Sequence, residues 1–324
     1  MTRKTFAYWL LVALAFGFAG PAPAQSWPAR TVRIVAPFPA GGTADTLGRI
    51  VATQLTKSLG QTFVVENRPG AGGLIGSEFV ANSAADGYTF VVSGVASHVI
   101  APALAARPPF DPLRGFSHVA LLGGPPVVFA VHPSLPAQNL KTFVAFAKAR
   151  SGQVTYGSPG IGTQGHLTAE LFKQRAGIDI VHVPYKGASI AVVDIVAGHI
   201  HTISTTLTTA SSQIRAGRAR ALAISSAAPL PSYPGVPTFV QAGYRDLVAT
   251  VWFSLSGPAG VPENIVDRLN AEVRKALQQP EVRERLQRDG IEANQLSPAA
   301  FGDYLSSEIK RWGPVIQKSG AKAN

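Results

Sequence analysis

The sequence predicts an α/β protein of two lobes, with two crossings of the chain between them. Short apolar segments typical of strands alternate with amphipathic segments typical of helices, which favours mainly parallel sheets flanked by helices. The composition shifts sharply at Gly123-Gly124-Pro125-Pro126, where we expect a first hinge. Gly257-Pro258-Ala259-Gly260 has the composition of a return hinge, and three helical segments follow it.

The predicted strands are short runs rich in valine, isoleucine and other apolar residues, bounded by glycine, proline or polar turns. In chain order they are Val32–Ala36, Phe63–Glu66, Thr89–Ser93, Val119–Leu122, Val127–Val131, Val154–Tyr156, Val181–Val183, His199–Ser204, Ala219–Ser225 and Val251–Ser256.

The first predicted helix illustrates how the helices are recognised. Its apolar residues Leu47, Ile50, Val51 and Leu55 recur at helical spacing, Thr43 is placed to cap it and Gly60 ends it. The later helices are predicted around Ile75–Val80 and at Leu140–Arg150, His166–Arg175, Ser189–Ala197, Thr209–Ala216, Glu263–Leu277, Pro280–Asp289 and Pro298–Lys318.

The N-terminal residues predict a secretory signal peptide over residues 1–24. Arg3 and Lys4 precede an apolar run, Phe6–Phe18, and Ala22-Pro23-Ala24 fits a cleavage site. The first lobe is then predicted at residues 25–125 with 257–324, and the second at 126–256. An export signal without an anchor points to the bacterial periplasm.

Composition narrows the function classes. The chain has no cysteine, which excludes disulfides and cysteine metal sites. Its formal net charge is +11, and +9 without Arg3 and Lys4. A basic protein can bind nucleic acid, membranes or small acids, but export argues against nucleic acid and the basic residues are scattered. No cofactor or metal site is predicted.

Two glycine-rich loops, each between a strand and a helix, are the candidate binding elements. Glycines allow close approach of the backbone to a ligand, and a helix start offers free N–H groups and a positive dipole end. Such corners bind carboxylates or phosphates. The first runs from Phe38 to Asp45. The second runs from Tyr156 to His166.

Several roles stay open at this level. Asp45 contacts a ligand or only stabilises its own helix start, His166 donates to a ligand or holds its loop, and Lys186 attracts an anion or faces solvent. The pattern Gly160-x-Gly162-x-x-Gly165 matches a dinucleotide fingerprint, but the required acid at the end of the next strand is missing.

The candidate ligand-binding residues come from both loops and two strand ends. They are Phe38, Ala40, Gly41, Gly42, Thr43, Asp45, Ser93, Ser158, Gly160, Gly162, Thr163, His166 and Thr205. Thr205 lies in Thr202–Leu207, where a strand end facing the cleft would tune selectivity. No catalytic residue is predicted, because Ser158 is not in a Gly-x-Ser-x-Gly elbow and no histidine has zinc-enzyme spacing.

Several ordered blocks resemble the extracytoplasmic solute receptors of the tripartite tricarboxylate transporter family, often called the Bug family. The resemblance covers essentially the whole chain after the signal peptide. Its blocks are Pro37–Asp45, Glu66–Gly73, Asp86–Tyr88, Tyr156–Thr163, His182–Gly187, Arg220–Ala223 and Gly257–Gly260. The segment Gly115–His118 departs from the usual pattern.

The resemblance implies a type II periplasmic-binding-protein fold that closes around a carboxyl group, held by Phe38–Asp45 and Ser158–Thr163 through backbone N–H groups and water. We therefore expect a monomeric, non-enzymatic binding protein that delivers a small carboxylate to integral membrane transporter subunits. The alternatives are a periplasmic sensor subunit, or a hydrolase or isomerase of a small acid.

Overall fold

The computed structural model describes residues 27–319, so the predicted signal peptide lies outside the described residues. Within this range, ten strands form two separate five-stranded sheets. The strands are β1 Val32–Ala36, β2 Phe63–Asn67, β3 Thr89–Gly94, β4 Phe116–Gly123, β5 Val127–Val131, β6 Thr155–Ser158, β7 Val181–Pro184, β8 Thr202–Thr206, β9 Arg220–Ile224 and β10 Phe253–Pro258.

Ten α-helices cover the sheets, and none in the described range is long and apolar enough to cross a membrane. They are α1 Thr43–Leu59, α2 Leu74–Ala81, α3 Ala101–Leu104, α4 Leu140–Lys148, α5 Gln164–Ala176, α6 Ala188–Val196, α7 Leu207–Arg215, α8 Glu263–Gln278, α9 Pro280–Arg288 and α10 Pro298–Ser319. A π-helical turn, Ala96–Ile100, precedes α3.

The two sheets confirm the predicted two-lobed α/β architecture, but both are mixed. The strand orders are β2-β1-β3-β10-β4 and β7-β6-β8-β5-β9. In the first sheet β10 runs antiparallel to both neighbours, and in the second β5 does. Each of these strands enters its sheet directly from a crossing between lobes, without the helical connection that a parallel neighbour needs.

The return crossing lies earlier in the chain than the sequence predicts. Gly257 and Pro258, expected in a hinge, are the last residues of β10 and pair with Ser117 and Phe116 of β4. The return therefore precedes Phe253, and we propose that the second lobe ends there and not at residue 256.

At the first crossing, two glycines allow three backbone segments to meet. A Cβ atom on Gly124 would lie 1.6 Å from the carbonyl oxygen of Val251, and one on Gly123 would lie 1.8 Å from that of Glu292. Gly124 and Glu292 exchange backbone hydrogen bonds of 3.1 and 3.2 Å. The C-terminal segment at Glu292 is thus bonded to the first crossing, which the backbone N–H of Val251 joins to the return crossing through the carbonyl of Pro125 at 2.9 Å.

Each lobe has its own apolar core. In the first, strands β1, β3 and β10 pack under α1 and α8, with Leu47, Phe90 and Leu269 fully buried. In the second, α4 and α5 cover one face of the sheet around Phe129 and Phe172. Because the strands are anchored in these cores, the loops that follow them are positioned at the cleft between the lobes.

Candidate functional site

A cavity lies where the two lobes meet, and four helices begin at its wall. Gly42 and Thr43 line it at the start of α1, Gln164 at the start of α5 and Ala188 at the start of α6. Thr206, which immediately precedes α7, also lines it. Each helix start carries unpaired N–H groups and a partial positive charge, so the four together favour an anion.

Three of these four helices have no side-chain cap. The residues in the N-cap position of α1, α6 and α7 are Gly42, Gly187 and Thr206, and none accepts a hydrogen bond with its side chain from its helix. Only Thr163 does so, from the backbone N–H of His166 at 3.4 Å. The backbone N–H of Leu207, at the start of α7, donates to the carbonyl of Pro126 at 3.0 Å. The other uncapped N–H groups of these helix starts are the ones that can serve a ligand.

The remaining wall of the cavity is apolar. Phe38, Val95, Ala96, Val251 and Phe253 contribute to it, and none of the described residues that line the cavity carries a charge. The cavity volume is about 50 Å³. The site thus offers a small apolar chamber in which the positive potential comes from the main chain alone.

Direct contacts between the lobes narrow the cleft. The Thr43 hydroxyl donates to the Thr206 hydroxyl at 2.8 Å, and the Thr209 hydroxyl lies 3.3 Å from Thr43 and 2.9 Å from Thr206. Gly162 packs so closely that an added Cβ atom would lie 2.4 Å from Leu104. The two loops therefore touch their opposite lobes, which is the arrangement expected of a closed cleft.

Asp45 stabilises the first loop from behind. Its carboxylate accepts from the Gly41 backbone N–H at 3.0 Å, from Asn67 at 3.1 Å and from Arg49 at 3.0 Å. Burial opposes ionisation of Asp45, yet these hydrogen bonds outweigh it and hold the pKa of this carboxyl below its ordinary value. Of the two roles left open for Asp45, the contacts favour the structural one.

Two histidines stabilise the second loop, as Asp45 stabilises the first. The Nδ1 atom of His166 accepts from the Gly162 backbone N–H at 3.2 Å, and Ser158 Oγ lies 2.7 Å from His182 Nε2. The rings of Tyr156, His182 and His166 form a stack with centroid separations of 4.7 and 4.3 Å. This stack lies beneath the glycines and fixes the loop's shape.

A buried histidine beside the cavity predicts a dependence of stability on pH. His98, in the π-helical turn, is 1% exposed, and burial, with a smaller contribution from His118, lowers its pKa to about 3. Because the unfolded chain titrates near its ordinary value of 6.5, the unfolded state binds more protons below that pH. Stability is then lost as the pH falls from about 6.5 towards 3.

We expect His98 to reduce the free energy of unfolding by about 2 kcal/mol between pH 7 and pH 5. Urea unfolding at both pH values measures the loss, and the variant His98→Leu is the control, since it has no group to titrate at this position. An equal loss in the wild type and in His98→Leu would contradict the assignment.

Four of the predicted ligand-binding residues line the cavity: Phe38, Gly42, Thr43 and Thr163. The others are not part of its wall. Asp45, Ser158 and His166 bond within their loops, as described above. Ser93 Oγ lies 2.6 Å from Ser254 Oγ inside the first sheet, and Thr205 is fully buried. The remaining four are Ala40, Gly41, Gly160 and Gly162, which belong to the two loops. Lys186, whose role was left open, is exposed.

Other lining residues were not predicted. Thr206 follows Thr205 and stands on the cavity wall, because successive strand residues point to opposite sides. Gln164 follows Thr163 and begins α5. Gly94 is the last residue of β3, Val95 and Ala96 follow it directly, and the return crossing supplies Val251. The position at a strand end is the signal that would have identified Gly94, Val95 and Ala96.

The chain is similar in sequence and in fold to known bacterial proteins. Residues 47–321 match the model of the tripartite tricarboxylate transporter family receptor. Protein BugT of Bordetella pertussis is 37% identical over 324 residues, covering 99% of both chains.

Solved structures with bound acids are similar as well. R. palustris Rpa4515 with adipate has a TM-score of 0.88 and 33% identity, and the match covers 91% of this chain and 99% of that one. MatC from Rhodopseudomonas palustris with bound malate has a TM-score of 0.84 and 32% identity, with 90% of this chain and 100% of that one covered.

Proposed function

Because the chain belongs to the tripartite tricarboxylate transporter receptor family, whose members are periplasmic solute-binding receptors, we propose that it captures a small carboxylated solute between its lobes. The observation that carries the proposal is the cavity at which four helices begin, three of them uncapped. Adipate and malate in two similar structures support a carboxylate. The family description, a receptor of the tripartite tricarboxylate transporter family, supports delivery of the solute to a membrane transporter.

Closure of the lobes is the event that couples binding to delivery. A ligand that touches both Thr43 and Thr163 has contacts that only the closed form provides, so it shifts the population towards that form. The hydroxyl contacts between Thr43, Thr206 and Thr209 also stabilise the closed form. We propose that the protein is exported and binds its ligand in the periplasm, as the predicted signal peptide indicates.

The contacts of Ser158 favour a receptor over a hydrolase. Ser158 and His182 are within hydrogen-bonding distance, as a nucleophile and its base would be, but Ser158 is fully buried and does not line the cavity. Its hydroxyl instead accepts from the Gly160 backbone N–H at 3.2 Å. The pair therefore shapes the loop.

The test is a thermal-shift screen of small organic acids against the purified protein, followed by calorimetry of the acids that stabilise it. A ligand at 100 times its dissociation constant stabilises the folded state by about 2.7 kcal/mol. Binding without turnover supports a receptor. No stabilisation by any acid, or conversion of a bound acid that ceases in Ser158→Ala, would overturn the proposal.

The two-loop arrangement predicts a specific loss of affinity. We expect Thr43→Ala combined with Thr163→Ala to weaken binding of an acid found in the screen about tenfold, because each hydroxyl lines the cavity and stabilises its loop or the closed form. Calorimetry measures the change, and Thr53→Ala, at an exposed position of α1, is the matched control. Equal affinity in all three proteins would contradict the arrangement.

A further inference from the structure

Gln164 is a buried polar residue on the cavity wall whose hydrogen bonding is incomplete. It is the first residue of α5 and is 2% exposed. Its Nε2 atom donates to the backbone carbonyl of Thr250 at 3.2 Å. Its Oε1 atom has no hydrogen-bond partner among the described residues. Nothing in the loop or in the lobe contacts accounts for this oxygen.

The bond to Thr250 fixes which way the amide points. A carbonyl oxygen only accepts, so the amide nitrogen must face Thr250 and Oε1 cannot take its place. The free group at Gln164 is therefore an acceptor. A buried acceptor without a partner is costly, and only a hydrogen-bond donor relieves that cost. A carboxylate, which only accepts, does not.

The lack of acidic side chains on the cavity wall limits the chemical class of the ligand group that donates to Oε1 of Gln164. Within residues 27–319 no aspartate or glutamate lines the cavity, and the carboxylate of Asp45 is already bonded to Gly41, Arg49 and Asn67. A ligand ammonium group would thus be buried without a protein carboxylate to pair with and in the positive potential of the helix starts, which is unfavourable. The donor is therefore uncharged. A ligand amide would bring a carbonyl group as well as its N–H donor into an apolar chamber, whereas a hydroxyl supplies one donor from a single small group.

We propose that the ligand is a hydroxylated carboxylic acid, whose carboxylate meets the helix starts and whose hydroxyl donates to Oε1 of Gln164. The inference rests on the proposed function and names the class of acid that this cleft selects. Gln164 is then a specificity-determining residue. Gln164 is bonded to Thr250, which belongs to the crossing between the lobes. A hydroxyl bonded to Gln164 therefore stabilises the closed form together with the carboxylate.

Calorimetry with matched pairs of acids tests the proposal. The probes are malate with succinate, lactate with propionate, and 4-hydroxybenzoate with benzoate, which differ only by the hydroxyl group. We expect at least one pair to bind, with the hydroxylated member about tenfold tighter. In Gln164→Met, which keeps the chain length and removes the amide, we expect the ratio within that pair to fall to about one.

The ratio separates recognition from a purely structural role. A structural defect in Gln164→Met lowers both affinities together and leaves the ratio unchanged. Gln174→Met, on the exposed face of the same helix, is the matched control and keeps the wild-type ratio. The wild-type ratio alone also tests the proposal should Gln164→Met fail to fold.

Three outcomes overturn the inference. Two of them leave the proposed function intact: pairs that bind with equal affinity in the wild type, or a preference for the hydroxylated acid that persists in Gln164→Met. The third is the absence of binding by any acid in these pairs and in the wider screen, which overturns the proposed function and this inference with it.

Discussion

A valine at Gly42 is expected to abolish ligand binding and to leave the protein folded. Gly42 lies on the cavity wall immediately before α1, with φ −80° and ψ 170°, a conformation that valine adopts readily. Its nearest obstacle is the carbonyl oxygen of Pro39, 3.3 Å from an added Cβ atom. The three added carbons would enter a cavity of about 50 Å³ and occupy the space of the carboxylate.

We expect affinity for an acid found in the screen to fall at least about 100-fold, or about 2.7 kcal/mol, whereas the free energy of unfolding changes by about 1 kcal/mol. Calorimetry and urea unfolding measure the two quantities. Gly235→Val is the matched control, since no atom lies within 4 Å of a Cβ atom there. Binding by Gly42→Val at wild-type strength would place the ligand elsewhere.

Alanine at Gly124 is expected to destabilise the whole protein by about 4 kcal/mol or more. Its Cβ atom would lie 1.6 Å from the carbonyl oxygen and 2.7 Å from the carbonyl carbon of Val251. Both are backbone atoms of the return crossing, so no side-chain rotation relieves the clash. The crossings would have to separate, breaking the bonds that join Gly124 to Glu292 and Val251 to Pro125.

Urea unfolding of Gly124→Ala measures this cost, with Gly235→Ala as the control. Position 235 has no atom within 4 Å of an added Cβ atom, so the methyl group meets no obstacle there. We expect the control to stay within about 0.5 kcal/mol of the wild type. A loss of less than 1 kcal/mol in Gly124→Ala would mean that the three segments are not held together as described.

Local sequence patterns identified most of the fold but not how the strands join the sheets. The apolar periodicity of α1 and the valine-rich run of β1 depend on neighbouring residues only, and both elements form where predicted. The return crossing was placed too late, because Gly257 and Pro258 have the composition of a hinge. Their pairing with β4 depends on residues about 140 positions away, which no local pattern records.

The candidate site shows the same division. Both glycine loops were identified, and Gly42 and Thr43 do line the cavity. Side-chain direction was not predictable: Thr205 and Thr206 are adjacent threonines, and only Thr206 stands on the wall. Asp45 looked equally suited to a ligand and to its own loop until Arg49 and Asn67 were found bonded to it.

The uncapped helix starts have a consequence for how such receptors diversify. Because the attraction for an acid resides in peptide groups at Gly42, Gly187 and Thr206, a side-chain replacement removes it only where the new side chain blocks a helix start, as valine at Gly42 would. Wall residues such as Val95, Ala96 and Phe253 are then free to vary. After gene duplication, the encoded receptor retains its affinity for acids, while mutations of the wall residues alter which acid it binds. The positive potential of the main chain and the shape of the cavity wall can therefore change independently.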